Sequence, residues 1–246
     1  MSLQGKFLAT FFTVAVALIS ISCHKSKSSA PQSKIIYIID SQYSQTNPPG
    51  KRYDYAILYN PDGTLHNIQS MTPYTNGNID SMIFTYASGF VLRKLFVNGM
   101  INGMDTFFLN SLGDIYKATS SAYSYALQYS GNEIITSAYS SGYTNVWSGG
   151  NNIKLINAIG SDSIINTFYS DMAYAPGEYY YMTEFLQWGR PLTHDKNLIA
   201  SSIYPGNLST IDNYTYTFDS KNRIISCILT ESTNKYYESF QLQYDN

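Results

Sequence analysis

The sequence predicts a mainly β protein: an antiparallel hairpin meander curled into a barrel or half-barrel, with one short helix near 177–188. Three observations carry this reading. Several runs alternate apolar and polar residues with period 2, the mark of a half-buried strand. Short clusters of Gly, Asn, Asp and Ser separate these runs. The composition agrees: 44% of the 246 residues are hydrophobic, 24 are Tyr, and only 13% are charged. Tyr fits a pleated sheet, and this much apolar mass allows a substantial core. The same numbers exclude a disordered chain, which would be charge-rich and aromatic-poor. With 15 Lys and Arg against 17 Asp and Glu, they also exclude a basic nucleic-acid binder.

The N-terminal segment reads as an address rather than as fold. In residues 1–22, Lys6 is followed by an apolar run, Phe7–Ile21, which is short for a membrane-spanning helix. A charged start, an apolar middle and small residues at the end make a secretory signal. Cys23 follows Ser20-Ile21-Ser22 directly. A small residue before a Cys at this point resembles a bacterial lipobox, although Ile19 stands one place early. Cys23 is therefore the expected lipidation site and mature N-terminus. Ordinary signal-peptidase cleavage after Ser22 and an uncleaved anchor are the competing readings. Residues 23–34 are Ser-rich and polar and fit a flexible tether, which favours lipidation. Lys25 and Lys27, in place of acidic residues after the Cys, favour the periplasmic face. Residues 35–246 are expected to form one β domain.

Within that domain six hairpins follow a common plan: a strand ending in an aromatic, a short turn, and a strand opening with aliphatics. They are Tyr53–Tyr59 with Leu65–Ile68, Met82–Tyr86 with Val91–Leu95, and Thr106–Leu109 with Asp114–Lys117. The others are Tyr123–Tyr129 with Glu133–Thr136, Thr144–Trp147 with Ile153–Ile156, and Tyr214–Phe218 with Arg223–Leu229. Gly or Asn in each turn supplies the positive φ that tight hairpins need. Tyr236, Phe240, Leu242 and Tyr244 alternate with polar residues in a last strand. One stretch breaks the pattern. Pro176-Gly177 opens it and Gly189-Arg190-Pro191 closes it, which is helix punctuation. Tyr181, Phe185 and Trp188 share a helical face, expected to plug an open end or face of the sheet.

Lys196–Ile199 followed by Asn213–Ile224 (NYTYTFDSKNRI) resembles the Tyr-Thr-Tyr, Asp-x-x-Gly/Asn-Arg hairpins of certain Bacteroidota lipoproteins. These form families of unknown function with a porin-like, curled β fold. Tyr55–Ile68 (YAILYNPDGTLHNI) resembles the same unit, and both are distantly similar to the YD/RHS repeats of large secreted shells. The resemblance spans most of 35–246 and implies an envelope lipoprotein. It brings no catalytic residues, because those families have none assigned.

Chemistry is sparse. His24 lies in the tether, His66 at a hairpin and His194 in a loop, none at metal-ligand spacing. His194-Asp195 reads as a solvated loop. Asn60-Pro61-Asp62-Gly63 lacks the alternating oxygens of a calcium loop. Ser140-Ser141-Gly142 and Ser148-Gly149 lack the flanks of a nucleophile elbow. Paired carboxylates were sought among Glu133, Glu178, Glu184, Glu231 and Glu238. Glu178 and Glu184 fall on different helical faces. Glu238 has the parity of Phe240 and is read as an edge-strand Glu opposing aggregation; the alternative is an inward, buried carboxyl. Cys227 has no disulfide partner if Cys23 is acylated and is expected as a buried small hydrophobe. Exposed Tyr and Trp147 offer a glycan platform, against the reading that Tyr simply packs the sheet.

The expected function is a lipid-anchored envelope protein, binding or structural, with no catalytic chemistry, cofactor or metal. The alternatives are an integral outer-membrane barrel and a glycan-binding or glycan-processing envelope protein. The expected partners are the membrane, through the lipid, and a glycan or another envelope protein, with no nucleic acid.

Overall fold

The computed structural model describes residues 33–45, 50–71, 80–120, 124–130, 133–138, 143–157, 163–192, 195–205, 210–233 and 235–245. The signal segment, Cys23, His24, the tether up to residue 32, Tyr123, Gly131-Asn132, Ser140-Ser141-Gly142 and His194 lie outside the described residues. The chain divides into two units, Met1–Ser33 and Lys34–Asn246, and every strand and the helix belong to the second.

Sixteen strands run in chain order: β1 (Ile35–Ser44), β2 (Lys51–Tyr59), β3 (Leu65–Ser70), β4 (Ser81–Ala87), β5 (Phe90–Val97) and β6 (Met100–Leu109). There follow β7 (Ile115–Thr119), β8 (Ser124–Ser130), β9 (Glu133–Ala138), β10 (Tyr143–Ser148), β11 (Asn151–Asn157) and β12 (Ser163–Ala173). The helix α1 (Tyr179–Trp188) precedes β13 (Asn197–Tyr204), β14 (Thr210–Phe218), β15 (Ile224–Glu231) and β16 (Tyr236–Tyr244). Each strand pairs antiparallel with the next, and β16 pairs with β1, so the meander closes into a barrel. The six expected hairpins are all present. Each joins an even strand to the following odd one, so their turns share one rim, the rim that also carries Lys34 and Asp245.

Three of these turns are built alike. The N–H groups of Gly63, Gly113 and Asn222 donate to the carbonyls of Asn60, Asn110 and Asp219 at 2.9, 3.0 and 3.0 Å. The three donors have φ of 89°, 88° and 61°. A left-handed residue closing a tight turn produces a bulge in the ladder, and a register shift sits beside each turn.

The aromatic that ends an even strand has a second role. On β2, β8, β14 and β16, the hydroxyls of Tyr59, Tyr129, Tyr216 and Tyr244 donate to the carbonyls of Ile35, Ile115, Ile199 and Ile224 at 2.8–3.0 Å. On β10, Trp147 Nε1 donates to the Ile134 carbonyl at 2.8 Å. Every acceptor is a buried Ile at or near the start of the preceding strand. A buried aromatic with a polar tip needs a partner for that tip. Here the partner is a carbonyl near the turn rim, so five of the even strands are tied from inside to the strand before them.

α1 begins two residues later than the sequence suggests. Gly177 has φ 99° and Glu178 is extended, acting as N-cap by accepting from Tyr181 N at 2.9 Å. Gly189, at φ 76°, ends the helix, and its N–H returns to the Phe185 carbonyl. The helix crosses the barrel interior as the expected plug. Trp188 meets Phe107 of β6 and Tyr125 of β8, with ring centroids 5.3 and 5.5 Å apart. Tyr179 meets Tyr214 of β14 and Phe240 of β16 at 5.0 and 5.8 Å. Beyond the helix, Arg190 donates to the Gly113 carbonyl at 2.6 Å and holds the plug to the turn rim.

The interior is therefore a packed core. Ile38, Ile57, Ile68, Phe84, Phe107, Met182, Leu198 and Phe240 are all buried in it. Cys227, a free thiol, is buried too, and burial raises its pKa. The charges of Arg93 and Asp105, both inward, are neutralised by a two-hydrogen-bond pair at 2.6 and 2.9 Å. A barrel of 16 strands holds a water-filled channel in porins; here side chains and a helix fill the corresponding space.

Candidate functional site

One sector of the interior departs from this apolar packing. Between α1 and strands β8 to β12 lies a cavity of about 190 Å³. Its wall carries Tyr125 and Leu127 from β8, Ile134 from β9, and Tyr143 and Asn145 from β10. Asn152 and Leu155 of β11 and Asn166 of β12 continue it, while Tyr180, Glu184, Leu192 and Asp195 cover it from the helix side. Strand pairing explains the grouping: Asn145 lies opposite Leu155, and Asn166 opposite Ser202, on the inward parity.

The amides are wired together. Asn152 Nδ2 donates to Asn145 Oδ1 at 2.9 Å, and Asn166 Nδ2 donates to the Asn152 carbonyl at 2.9 Å. Ser202 donates to Asn166 Oδ1 at 2.9 Å. Asp195 accepts from Asn152 N at 2.5 Å, and burial pushes its carboxyl up to about 6 against the opposing effect of that bond. Glu184 accepts from Leu192 N at 2.5 Å, which folds the chain after α1 back over the cavity. Among the described residues, Asn152 Oδ1 is buried without a hydrogen-bond partner, as are Asp40 Oδ1, Asn67 Oδ1 and Glu178 Oε1 elsewhere in the barrel. Such a group costs about 1–3 kcal/mol of desolvation unless a ligand or water satisfies it.

A second polar cluster sits across the interior. Gln42 Nε2 donates to both Asp40 Oδ2 and Glu238 Oε1 at 3.1 Å. Tyr179 and Tyr236 donate to Glu238 Oε2 at 2.6 and 2.9 Å. Burial, and then the neighbouring Glu238 carboxylate, raise Asp40 to about 7. Here the edge-strand reading of Glu238 is overturned. β16 is paired on both sides, and Glu238 is only 6% exposed, because its parity with Phe240 turns it inward. Both oxygens of Glu238 are engaged here, while Asp40 Oδ1 is buried without a partner among the described residues, and the cluster ties β1, β16 and α1 together.

The remaining expected residues are dispersed. Glu178 caps α1, and its burial pushes the carboxyl up to about 8. Glu133 and Glu231 are half-buried on separate strands, and His66 is exposed on β3. Trp147 is half-buried and tied to Ile134, so it offers no open stacking face. Among the described residues, no three His, Cys, Asp or Glu side chains gather as a metal site would require. The sequence reading missed Asn145, Asn152, Asn166 and Ser202. Asn151 beside the Ser148–Gly150 turn looked like turn chemistry, but inward strand parity was the signal that marks Asn152 and Asn145.

No family model and no curated protein matches the chain. Solved structures do. A porin-like protein from Bacteroides uniformis superposes with a TM-score of 0.66 at 16% identity, covering 86% of this chain and 98% of that one. A porin-like protein from Bacteroides vulgatus gives a TM-score of 0.58 at 12% identity, covering 87% and 99%. The chain thus shares, nearly end to end, the fold of Bacteroides porin-like proteins.

Proposed function

We propose that this protein is a cell-envelope barrel that works as a lipid-tethered binding module rather than as a channel, with Cys23 as its lipid attachment point and the periplasm as its compartment. The observation that carries this reading is the polarity of the two faces of the sheet. The inner face is mostly apolar and packed against α1, its polar groups gathered into the Arg93–Asp105 pair and two buried hydrogen-bonded clusters. The outward positions include Asn213, Thr215 and Thr217 on β14, Gln241 and Gln243 on β16, and Ser124 and Gln128 on β8. Lys94, Lys117 and Lys154 also point outward. A lipid-facing wall needs an unbroken apolar band, and a Lys at its midplane costs about 2–4 kcal/mol. The porin-like likeness supports an envelope setting, and the lipobox resemblance supports the tether.

An integral outer-membrane barrel is the second reading. It is favoured by exposed apolar residues spread over several strands, among them Ile36, Leu58, Phe90, Met104, Tyr116 and Ile165, with Phe108 beside them on β6. Lys94 pairs with Met104 and Lys117 with Phe108, which interrupts them around β6. Fractionation separates the two. The native chain should take up labelled palmitate and sediment with membranes, and Cys23→Ala should lose the label and move to the soluble fraction. A Cys23→Ala protein that stays in the membrane at the mass of the leaderless chain would favour the integral barrel instead, whereas retention with the leader still attached would point to an uncleaved anchor.

A further inference from the structure

We infer that the cavity between α1 and β8–β12 binds a neutral, polyhydroxylated ring of monosaccharide size, such as the terminal pyranose of a glycan. This rests on the reading of the protein as a binding module and gives that module its ligand class.

Size sets the first limit. About 190 Å³ holds the equivalent of roughly six water molecules, well below the 300–1,000 Å³ typical of sites for drug-sized ligands. A single sugar ring fits, whereas a nucleotide or peptide does not. Charge sets the second. Among the described residues no Lys or Arg lines the cavity, and Glu184 and Asp195 do. An anionic ligand would be repelled, and both carboxylates are already engaged by backbone N–H groups.

The third limit comes from hydrogen-bonding type. Asn145, Asn152 and Asn166 are at most 9% exposed, in an interior built mostly of aliphatic and aromatic side chains. Amides both donate and accept, which is what a hydroxyl requires of its partner. Asn152 Oδ1 meets no donor among the described residues, so a ligand hydroxyl would supply the bond that this acceptor lacks. Rings and aliphatic side chains supply the apolar remainder: Tyr125, Tyr143 and Tyr180 with Leu127 and Leu155 suit the C–H face of a pyranose.

Titration calorimetry on the purified full chain tests this, with glucose, galactose, mannose and N-acetylglucosamine as probes and choline, inorganic phosphate and calcium as comparison arms. At least one sugar should bind with 1:1 stoichiometry. Leu155→Trp fills the cavity without touching a polar group, and Asn145→Ala removes one arm of the network. Each should weaken binding at least tenfold while circular dichroism stays native. Should Leu155→Trp fail to fold, Leu127→Phe fills the same space from β8. Binding of none of the sugars by a folded protein would overturn the inference. So would sugar binding indifferent to the variants, or binding of choline, phosphate or calcium alone. Failure of the sugar titration leaves the Cys23→Ala fractionation result untouched, so the two readings fail separately.

Discussion

The two sides of the barrel interior are built on different principles. Around β1 to β6 and β14 to β16, inward positions are mostly aliphatic or aromatic and press directly on α1: Phe84 against Gly189, Leu242 and Ile224 against Gly177, Phe240 against Tyr179. Around β10 to β12 the same inward parity carries Asn145, Asn152 and Asn166, and α1 stands off far enough to leave a cavity. Both sectors share one strand ladder and one set of rim ties. What differs is whether the inward residue seals the helix or leaves room beside it. Closure and plugging are thus properties of the packed sector, and any small ligand must be a matter for the other.

The largest effect should come from emptying the packed sector. Phe84 is 2% exposed and touches the helix terminus. Phe84→Ala should cost about 3–5 kcal/mol in urea denaturation, whereas Leu155→Ala, beside space that already exists, should cost about 1 kcal/mol or less. Equal losses would mean that the cavity sector is as tightly packed as the other.

Next in size is the dependence on pH. Glu178 and Asp40 in the packed sector are raised to about 8 and about 7, and Asp195 beside the cavity to about 6, with burial the largest cause in each case. A carboxyl whose folded pKa lies above its unfolded value holds its proton more tightly when folded. Its stabilisation is full below pH 4 and is lost as pH rises through the folded value. The melting temperature should therefore fall by several degrees between pH 5 and pH 8. Glu178→Gln should flatten that slope more than Asp195→Asn does. A melting temperature that rises over this window would contradict the buried placement of these groups.

Backbone effects follow. A Cβ on Gly189 would sit 2.5 Å from Phe84 Cε1, on a residue at φ 76°. Gly189→Ala should lose about 1–2 kcal/mol by displacing the plug, while Gly89→Ala, with nothing near its Cβ, should lose only the left-handed penalty. The smallest effect is that of single rim ties. Tyr129→Phe and Tyr244→Phe should each cost about 1 kcal/mol, and Tyr143→Phe at the cavity should leave stability nearly unchanged. A denaturation series over these variants ranks the two sectors directly.

Much of this design is legible in the sequence. Period-2 alternation in 124–130 and 236–244 gives the inward face residue by residue, and the punctuation at Pro176-Gly177 and Gly189 gives the helix to within two residues. The recurring plan of aromatic, turn and aliphatic was visible too. Its cause was not, because the aromatic hydroxyl bonds an Ile carbonyl on the strand before it, a contact between strands that spacing alone does not reveal. That bond accounts for four of the 24 Tyr. The cavity was hidden for a related reason. A lone Asn inside a strand carries no motif, Asn152 lies close to the Gly149-Gly150 turn, and only the closed register of β10 to β13 turns Asn145, Asn152 and Asn166 toward one space. Glu238 was misjudged because strand closure, which removes the edge, is a property of the whole sheet.

The central claim is that the barrel is filled inside and faces water outside. Size-exclusion chromatography with light scattering on residues 34–246, expressed and purified without detergent, tests it most directly. A monodisperse particle of monomer mass with β-type circular dichroism is the predicted result. Material that is recovered folded only in detergent, and that then conducts ions in a planar bilayer, would contradict it.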